Sequence, residues 1–237
     1  MTSAVIIGAS GAIGRALCAQ AVASGSYQTT FGFARSEIEG SATVHTGCID
    51  VTDEPSIARA ASLVAREGPV GLVVVATGIL HGPGISPEKS MRALDPAVMA
   101  AVFAVNTLGP ALVAKHFIPL LPRRGRAVFA ALSARVGSIE DNRLGGWYAY
   151  RASKAALNQI IRTLAVETAR TRPDAIVVGL HPGTVASGLS GPFRSADAHP
   201  APFTSEESAT HLMRVLDSLS PTDSGRLFAW NGQQVPF

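Results

Sequence analysis

Residues 4–14 have the sequence AVIIGASGAIG, and the fold prediction starts from this stretch. The apolar run 4–7 is typical of a buried strand, and residues 12–24 have helical spacing, so the glycines fall in the turn between them. Glycines in such a turn let the backbone approach a pyrophosphate, and the helix N-terminus attracts the phosphates. The stretch therefore predicts a dinucleotide site, with a plain tight turn as the alternative. The predicted cofactor contacts here are Gly8, Ser10, Gly11, Ile13 and Gly14.

Strand-like and helix-like segments alternate along the rest of the chain. The predicted strands are 4–7, 29–34, 43–49, 72–76, 127–132, 175–180, 226–230 and 233–235. The predicted helices are 12–24, 57–66, 95–121 (kinked at Gly109-Pro110), 148–170 and 205–218. This order predicts an α/β fold: one Rossmann-like, doubly wound parallel sheet of about seven strands with helices on both faces. We predict a single domain over 1–237, with a substrate lid at 187–204, a long loop rich in Gly, Pro and Ser.

Composition excludes several classes of protein. The 237 residues are 47% hydrophobic and 16% charged, which argues against disorder, and two cysteines cannot form a disulfide scaffold. We expect no membrane span, because the apolar runs are too short, and no nucleic-acid partner, because the basic cluster Arg123, Arg124 and Arg126 lacks interleaved aromatics. The histidines lack ligand spacing, which predicts no metal. Two free thiols and the lack of a signal pattern at the N-terminus favour a cytoplasmic protein.

The end of the second predicted strand, Phe33-Ala34-Arg35-Ser36, bears on the choice between NAD and NADP. An acidic residue near this place would bind the ribose of NAD, whereas a guanidinium pairs with a 2′-phosphate. Arg35 and Ser36 therefore predict NADP(H) in preference to NAD(H). The alternative is that Arg35 is a solvated surface charge.

Tyr150 and Lys154 are four residues apart at the start of a predicted helix, which places them on one face. An ammonium beside a phenol favours the phenolate, so Lys154 is expected to lower the pKa of Tyr150. Tyr150 then becomes a candidate general acid/base. A surface pair is the alternative.

Taken together, these motifs resemble the short-chain dehydrogenase/reductase family, and in particular its C-factor and sniffer-like carbonyl reductases. The resemblance spans nearly the whole chain. The motifs that carry it, in the family's order, are the glycine loop, Asp50-Val51, Ala76-Thr77-Gly78, Asn106, Leu132-Ser133, the Tyr150/Lys154 pair and His181-Pro182-Gly183-Thr184-Val185.

The resemblance implies a role for each matching position. Tyr150 exchanges a proton with the substrate oxygen, Lys154 supports it and holds the nicotinamide ribose, and Asn106 anchors a water linked to Lys154. The resemblance also implies cofactor contacts at Asp50 and Val51, at Ala76, Thr77 and Gly78, and at Pro182, Gly183 and Val185.

The serine motif departs from the family pattern Ser-Ser-x-x-Gly. Here Ser133-Ala134 precedes Arg-Val-Gly137, so a gapless match puts alanine at the catalytic position. We expect Ser133 to take the role and name Ser138 as the second choice; the third possibility is that neither does.

These observations predict an NADP(H)-dependent oxidoreductase that transfers hydride between nicotinamide and a small carbonyl or alcohol substrate. The resemblance implies a homodimer or homotetramer. The alternative is a low-turnover NADP(H)-binding signalling or redox-sensor protein on the same fold.

Overall fold

The computed structural model describes residues 2–40, 42–193 and 201–237. Eight strands form one sheet in the order β3-β2-β1-β4-β5-β6-β7-β8, and only the last pair is antiparallel. The strands are β1 (Thr2–Ile7), β2 (Tyr27–Ala34), β3 (Val44–Cys48), β4 (Val70–Val75), β5 (Ala127–Leu132), β6 (Ala175–His181), β7 (Leu227–Ala229) and β8 (Gln234–Val235). The helices are α1 (Ala12–Ala23), α2 (Glu54–Ala65), α3 (Pro96–Phe103), α4 (Gly109–Phe117), α5 (Tyr148–Thr168) and α6 (Ser205–Ser218).

The strands β4 and β5 carry no polar side chain because helices cover both faces of the sheet. Every residue of β4 is buried, and its side chains alternate between two cores. Val73 and Val75 pack with the face that carries α2, α4 and α5, while Leu72 and Val74 pack with the face that carries α1 and α6. The predicted doubly wound α/β sheet is confirmed, with eight strands against the expected seven or so.

The strand order reverses between β1 and β4, which creates a crevice at the carboxyl ends of these strands. In open α/β sheets, ligands bind at such a switch point. The segments that follow β1, β4, β5 and β6 all contain predicted site residues, so the topology brings them to one edge of the sheet.

The helical segment predicted over 95–121 differs from the prediction in its interior. The expected kink at Gly109-Pro110 is replaced by one wide π-helical turn, Ala104–Leu108, between α3 and α4. Pro110 has no N–H to donate to the carbonyl of Asn106 four residues earlier, so the regular hydrogen-bond ladder fails in the preceding turn.

The same segment, Pro96–Leu120, forms 25 consecutive helical residues and contains an 18-residue window with a mean hydropathy of 1.9. Among the described residues it is the one helix long and apolar enough, by length and composition, to cross a membrane. The helix was predicted over 95–121, and it is apolar over a longer stretch than the short runs on which the expectation of no membrane span rested. Val102, Val113 and Phe117 are buried in the fold, which is a sufficient reason for their apolar character.

Gly137 offers a test of how tightly the turn after β5 packs on α5. A Cβ at Gly137 would lie 2.7 Å from Lys154 Cβ and 2.8 Å from the Lys154 carbonyl carbon. We expect Gly137→Ala to lower the free energy of unfolding by about 1–3 kcal/mol, because backbone must move. Urea unfolding measures this. The control is Gly82→Ala, where an added Cβ meets nothing within 4 Å; an equal loss in both variants would contradict the packing argument.

Candidate active site

The glycine loop lies directly on the chain that follows β4. Gly8 adopts a left-handed conformation (φ 96°), and a Cβ there would lie 2.9 Å from the carbonyl carbon and oxygen of Ala76. A Cβ at Gly14 would lie 2.1 Å from the Gly8 carbonyl oxygen. The N–H groups of Gly8 and Ala9 both donate to the Phe33 carbonyl, at 2.8 and 2.9 Å. Glycine is therefore required at both positions for the strand, the turn and α1 to pack this closely.

The N-terminus of α1 is the part of this loop that can bind an anion. Gly11 is its N-cap, and no side chain of the described residues caps the helix there. Ser10 and Gly11 are exposed. Free N–H groups at a helix N-terminus suit phosphate, so the loop fits a dinucleotide.

The residues expected at the adenosine end lie at the ends of β2 and β3. Arg35 and Ser36 are exposed. The pKa of Asp50 is lowered, first by hydrogen bonds from the Thr52 hydroxyl and the Thr52 N–H and to a smaller extent by the charge of Arg35. Val51 is buried instead: its Cγ2 would lie 2.9 Å from a Cβ at Gly109. Arg35 and Asp50 are thus near each other, while the Val51 side chain belongs to the core.

At the end of β4, Thr77 and Gly78 lie at the centre of the predicted site. The Thr77 hydroxyl oxygen is buried and has no hydrogen-bond partner among the described residues. A Cβ at Gly78 would lie 3.5 Å from Asn106 Oδ1 and 3.6 Å from Lys154 Nζ. A buried, unpaired hydroxyl next to a glycine-lined gap is a feature that a bound polar group would satisfy.

Asn106 is fully buried in the π-helical turn and ties this turn to its neighbours. Its Oδ1 accepts from the Ile79 N–H at 2.8 Å, and its Nδ2 donates to the Ile79 carbonyl at 2.9 Å and to Ser153 Oγ at 3.2 Å. Thr107 also donates to the Ser153 carbonyl, at 2.8 Å. The sequence analysis missed Ser153 and Thr107, which hold the turn against α5.

Tyr150 and Lys154 are on one face of α5, as expected, but their titration differs from the expectation. Lys154 is 2% exposed, and its Nζ donates to the Leu132 carbonyl at 2.7 Å and lies 5.8 Å from the centroid of the Tyr150 ring. Burial lowers the pKa of Lys154 to about 8 and raises the pKa of Tyr150 to about 12. The predicted lowering of the tyrosine pKa is therefore wrong for this structure, because burial of the phenol raises the pKa instead.

A cavity of about 270 Å³ opens in front of Tyr150. Trp147 forms part of its wall and packs edge-on against Tyr150, with ring centroids 6.3 Å apart, and against Phe193 at 5.5 Å. Predicted site residues that line the cavity are Ile13, Ser133, Tyr150, Pro182, Gly183 and Val185. A larger cavity of about 750 Å³ lies along α1 beside Arg15, Cys18 and Thr46, away from these residues.

The place of Trp147 in the cavity wall depends on its backbone conformation. It is the one non-glycine residue of the described chain with a positive φ (50°). Its N–H donates to the Glu88 carbonyl at 2.5 Å, and the buried Glu88 carboxylate accepts from the Ala149 N–H at 3.2 Å. This contact sets the direction in which the chain enters α5.

A family model described as short chain dehydrogenase matches residues 2–198. The chain belongs to the short-chain dehydrogenase family. C-signal of Myxococcus xanthus is 39% identical over 145 residues, which cover 61% of this chain and 81% of that protein. The resemblance predicted from the motifs is confirmed, and the family is one of oxidoreductases.

Two solved structures share the fold over the full length of the chain. The NADPH-bound carbonyl reductase from chicken fatty liver has a TM-score of 0.86 at 24% identity and is covered to 94%. The carbonyl reductase Sniffer of D. melanogaster has a TM-score of 0.85 at 22% identity and is covered to 100%.

The two predicted serines have different surroundings. Ser133 lines the cavity, and its Oγ donates to Asn158 Oδ1 at 2.7 Å. Ser138 Oγ accepts from the Asp141 N–H at 3.0 Å and borders a separate surface depression. The methyl group of Ala134 lines the cavity beside Tyr150.

Two further predictions concern the lid and metal binding. Residues 194–200 of the predicted lid are not among the described residues. Within the described ranges, no group of three His, Cys, Asp or Glu side chains is arranged to hold a metal ion.

The burial of Lys154 predicts that the protein is less stable at neutral pH than at alkaline pH. Its pKa in the folded protein lies below that of an exposed lysine, so wild-type stability rises as the pH increases from about 8 towards 10.5. We expect Lys154→Met to be more stable than wild type by about 2 kcal/mol at pH 7, after allowing for the lost hydrogen bond. Urea unfolding at pH 7 and pH 10 measures the difference, which should shrink at pH 10. The exposed Lys89→Met is the control, and a destabilised Lys154→Met at pH 7 would contradict this account.

Proposed function

We propose that this short-chain dehydrogenase uses NADP(H) to interconvert a small carbonyl compound and its alcohol. The observation that carries the proposal is the position of Tyr150 in the 270 Å³ cavity, with Lys154 buried one helical turn behind it. A tyrosine at a small, partly apolar cavity beside a dinucleotide crevice is suited to exchanging a proton with a substrate oxygen.

The cofactor supplies hydride chemistry, and the chain supplies binding, orientation and a proton. In this proposal the N-terminus of α1 binds the pyrophosphate, and Lys154 with Thr77 faces the nicotinamide ribose. The remaining proposed contacts are Gly8, Ser10, Gly11, Ile13 and Gly14 in the loop, Arg35, Ser36, Asp50 and Val51 at the adenosine end, Ala76 and Gly78 at the ribose, and Pro182, Gly183 and Val185 at the nicotinamide. Val51 takes part through its backbone, since its side chain is buried.

Tyr150 is prepared to donate a proton. Its pKa of about 12 keeps the phenol protonated at neutral pH, which suits carbonyl reduction. Proton loss leaves a phenolate near the Lys154 amine, whose charged form stabilises that anion. Asn106 forms the wall of the site next to Lys154. In this proposal it also anchors a water that links Lys154 to solvent.

Arg35 and Ser36 support NADP(H) in preference to NAD(H). Both are exposed directly after β2. The structurally similar carbonyl reductase from chicken fatty liver was solved with NADPH. A guanidinium at this position favours a 2′-phosphate.

A second candidate function is that of a low-turnover NADP(H)-binding signalling or redox-sensor protein. The observation that favours it is Ala134, which puts a methyl group where the family has its catalytic serine. The similarity to C-signal of Myxococcus xanthus is consistent with this alternative.

Assembly and location are part of the proposal. Leu108 next to α4 and Val166 on α5 are 55% and 49% exposed, which supports pairing of these helices in a homodimer or homotetramer. We keep the assignment of 1–237 to one domain with a lid at 187–204, the absence of nucleic-acid and membrane partners, and a cytoplasmic location as predictions.

The cofactor preference is tested by reversing one charge. Arg35→Asp should weaken NADPH binding by about 10-fold or more and improve NADH binding relative to it, because a carboxylate repels the 2′-phosphate. Fluorescence titration with both cofactors measures this. Arg214→Asp, at an exposed position of α6, is the matched control. An unchanged NADPH preference in Arg35→Asp would refute the assignment.

Turnover is tested with NADPH and a panel of aldehydes, ketones and quinones, followed by nicotinamide absorbance. Tyr150→Phe should lower kcat by about 10²–10⁴-fold while NADPH still binds, because only the proton donor is lost. Tyr148→Phe, at an exposed tyrosine of the same helix, should retain wild-type activity. Tight NADPH binding without wild-type turnover would favour the sensor instead.

A further inference from the structure

The site described above lacks one expected component, a donor for the substrate carbonyl. In the family pattern a serine supplies it, but here Ala134 occupies that position and the Ser133 proton is already donated to Asn158. A carbonyl oxygen that develops negative charge needs such a donor besides the general acid. The cavity wall has another polar side chain that can take this role, His181.

His181 is at the strand position across from Ser133. Leu132 of β5 pairs with Leu180 of β6, and the Ser133 N–H donates to the Leu180 carbonyl at 2.8 Å. Leu132 and Leu180 both face the core of α1 and α6. Since strand side chains alternate, Ser133 and His181 face the opposite side, where α5 packs. His181 lines the same cavity as Ala134 and Tyr150.

Only one ring nitrogen of His181 can serve the cavity. Nδ1 is buried and has no hydrogen-bond partner among the described residues. The other ring nitrogen, Nε2, is not a buried, unpaired atom. Nδ1 is unpaired in either tautomer, but a buried N–H without an acceptor is less well tolerated than a buried lone pair without a donor, so the tautomer with the proton on Nε2 is favoured. The Nε2–H group is then the donor that can reach a ligand.

The protonation state supports the same role. Burial, with a smaller contribution from the charge of Arg135, lowers the pKa of His181 to about 4. The imidazole is therefore neutral at neutral pH. A neutral imidazole can polarise a carbonyl by hydrogen bonding without competing with Tyr150 as the proton donor.

We propose that His181 is a catalytic residue of this protein: its Nε2–H donates a hydrogen bond to the substrate carbonyl oxygen and replaces the missing serine. The inference rests on the proposed carbonyl reduction. His181 keeps its proton throughout. The carbonyl carbon receives a hydride that bound NADPH would supply in becoming NADP⁺, the C=O π electrons move to the oxygen, and that oxygen takes its proton from the Tyr150 hydroxyl.

The test compares four variants with benzaldehyde, an aromatic probe that suits the wall of Trp147 and Phe193. His181→Leu should lower kcat by about 10²-fold, as for loss of one donor to an oxyanion. His181→Gln, which keeps an N–H near the Nε2 position, should lose less. Ser133→Ala should lose much less activity than His181→Leu. His181→Leu combined with Ala134→Ser, which restores the family's donor, should recover about 10-fold or more of the lost activity.

A binding measurement separates this inference from the proposed function. Benzaldehyde cannot be reduced by the NADP⁺-loaded protein, so its Kd reports recognition without turnover. We expect His181→Leu to raise this Kd about threefold or more, because a hydrogen bond is lost, and to leave the Kd of NADP⁺ unchanged. If the wild-type protein has no turnover, the proposed function and the catalytic role both fail, and the benzaldehyde Kd still shows whether His181 recognises the carbonyl.

Several results would overturn the role of His181. One is a His181→Leu variant with unchanged kcat and unchanged benzaldehyde affinity. A second is weaker NADP⁺ binding as the main effect, which would assign the histidine to the cofactor. A third is a full loss of activity in Ser133→Ala, and a fourth is the failure of Ala134→Ser to restore any activity.

Discussion

The burial of the Lys154 amine is the constraint on which the rest of the site depends. A desolvated ammonium is unfavourable unless its protons have acceptors, and here the Leu132 carbonyl is one of them. For the amine to reach it, α5 must pack closely on the turn after β5, and Gly137 leaves the space for that contact. Gly78 leaves the space on the other side, next to Asn106. The site is therefore assembled from the ends of β4 and β5, the π-helical turn and α5, all positioned around one nitrogen.

Much of the fold could be predicted because it follows from local patterns. The continuous apolar run of β4 and the glycines between β1 and α1 are interpretable without knowledge of tertiary contacts. The pairing of Tyr150 with Lys154 follows from helical periodicity alone. What could not be predicted depends on contacts between distant segments. The conformation of Trp147 depends on Glu88, far earlier in the chain, and the π-helical turn at Asn106 is held by Ser153.

Ser133 shows why a motif match is weaker evidence for a residue's role than its position in the structure. Ser133 was the natural choice by residue type, and it does line the cavity. However, its hydroxyl is engaged by Asn158, a residue of α5 that no short motif connects to it. Strand alternation then makes the residue across from it, His181, a neighbour of the same cavity. A motif comparison along the sequence cannot relate His181 to the missing serine. The register of β5 and β6 relates them, because it places Ser133 and His181 side by side.

The pKa values of Tyr150 and Lys154 belong to one electrostatic argument. Burial disfavours charge on either group, raising the pKa of the phenol and lowering that of the amine. Before reaction the phenol therefore holds its proton. In the proposed reaction that proton passes to a substrate oxygen, and the Lys154 ammonium would stabilise the phenolate left behind, because attraction between charges is stronger in a site of low polarity than in water. The same desolvation that keeps Tyr150 protonated at rest makes Lys154 more effective when the charge develops.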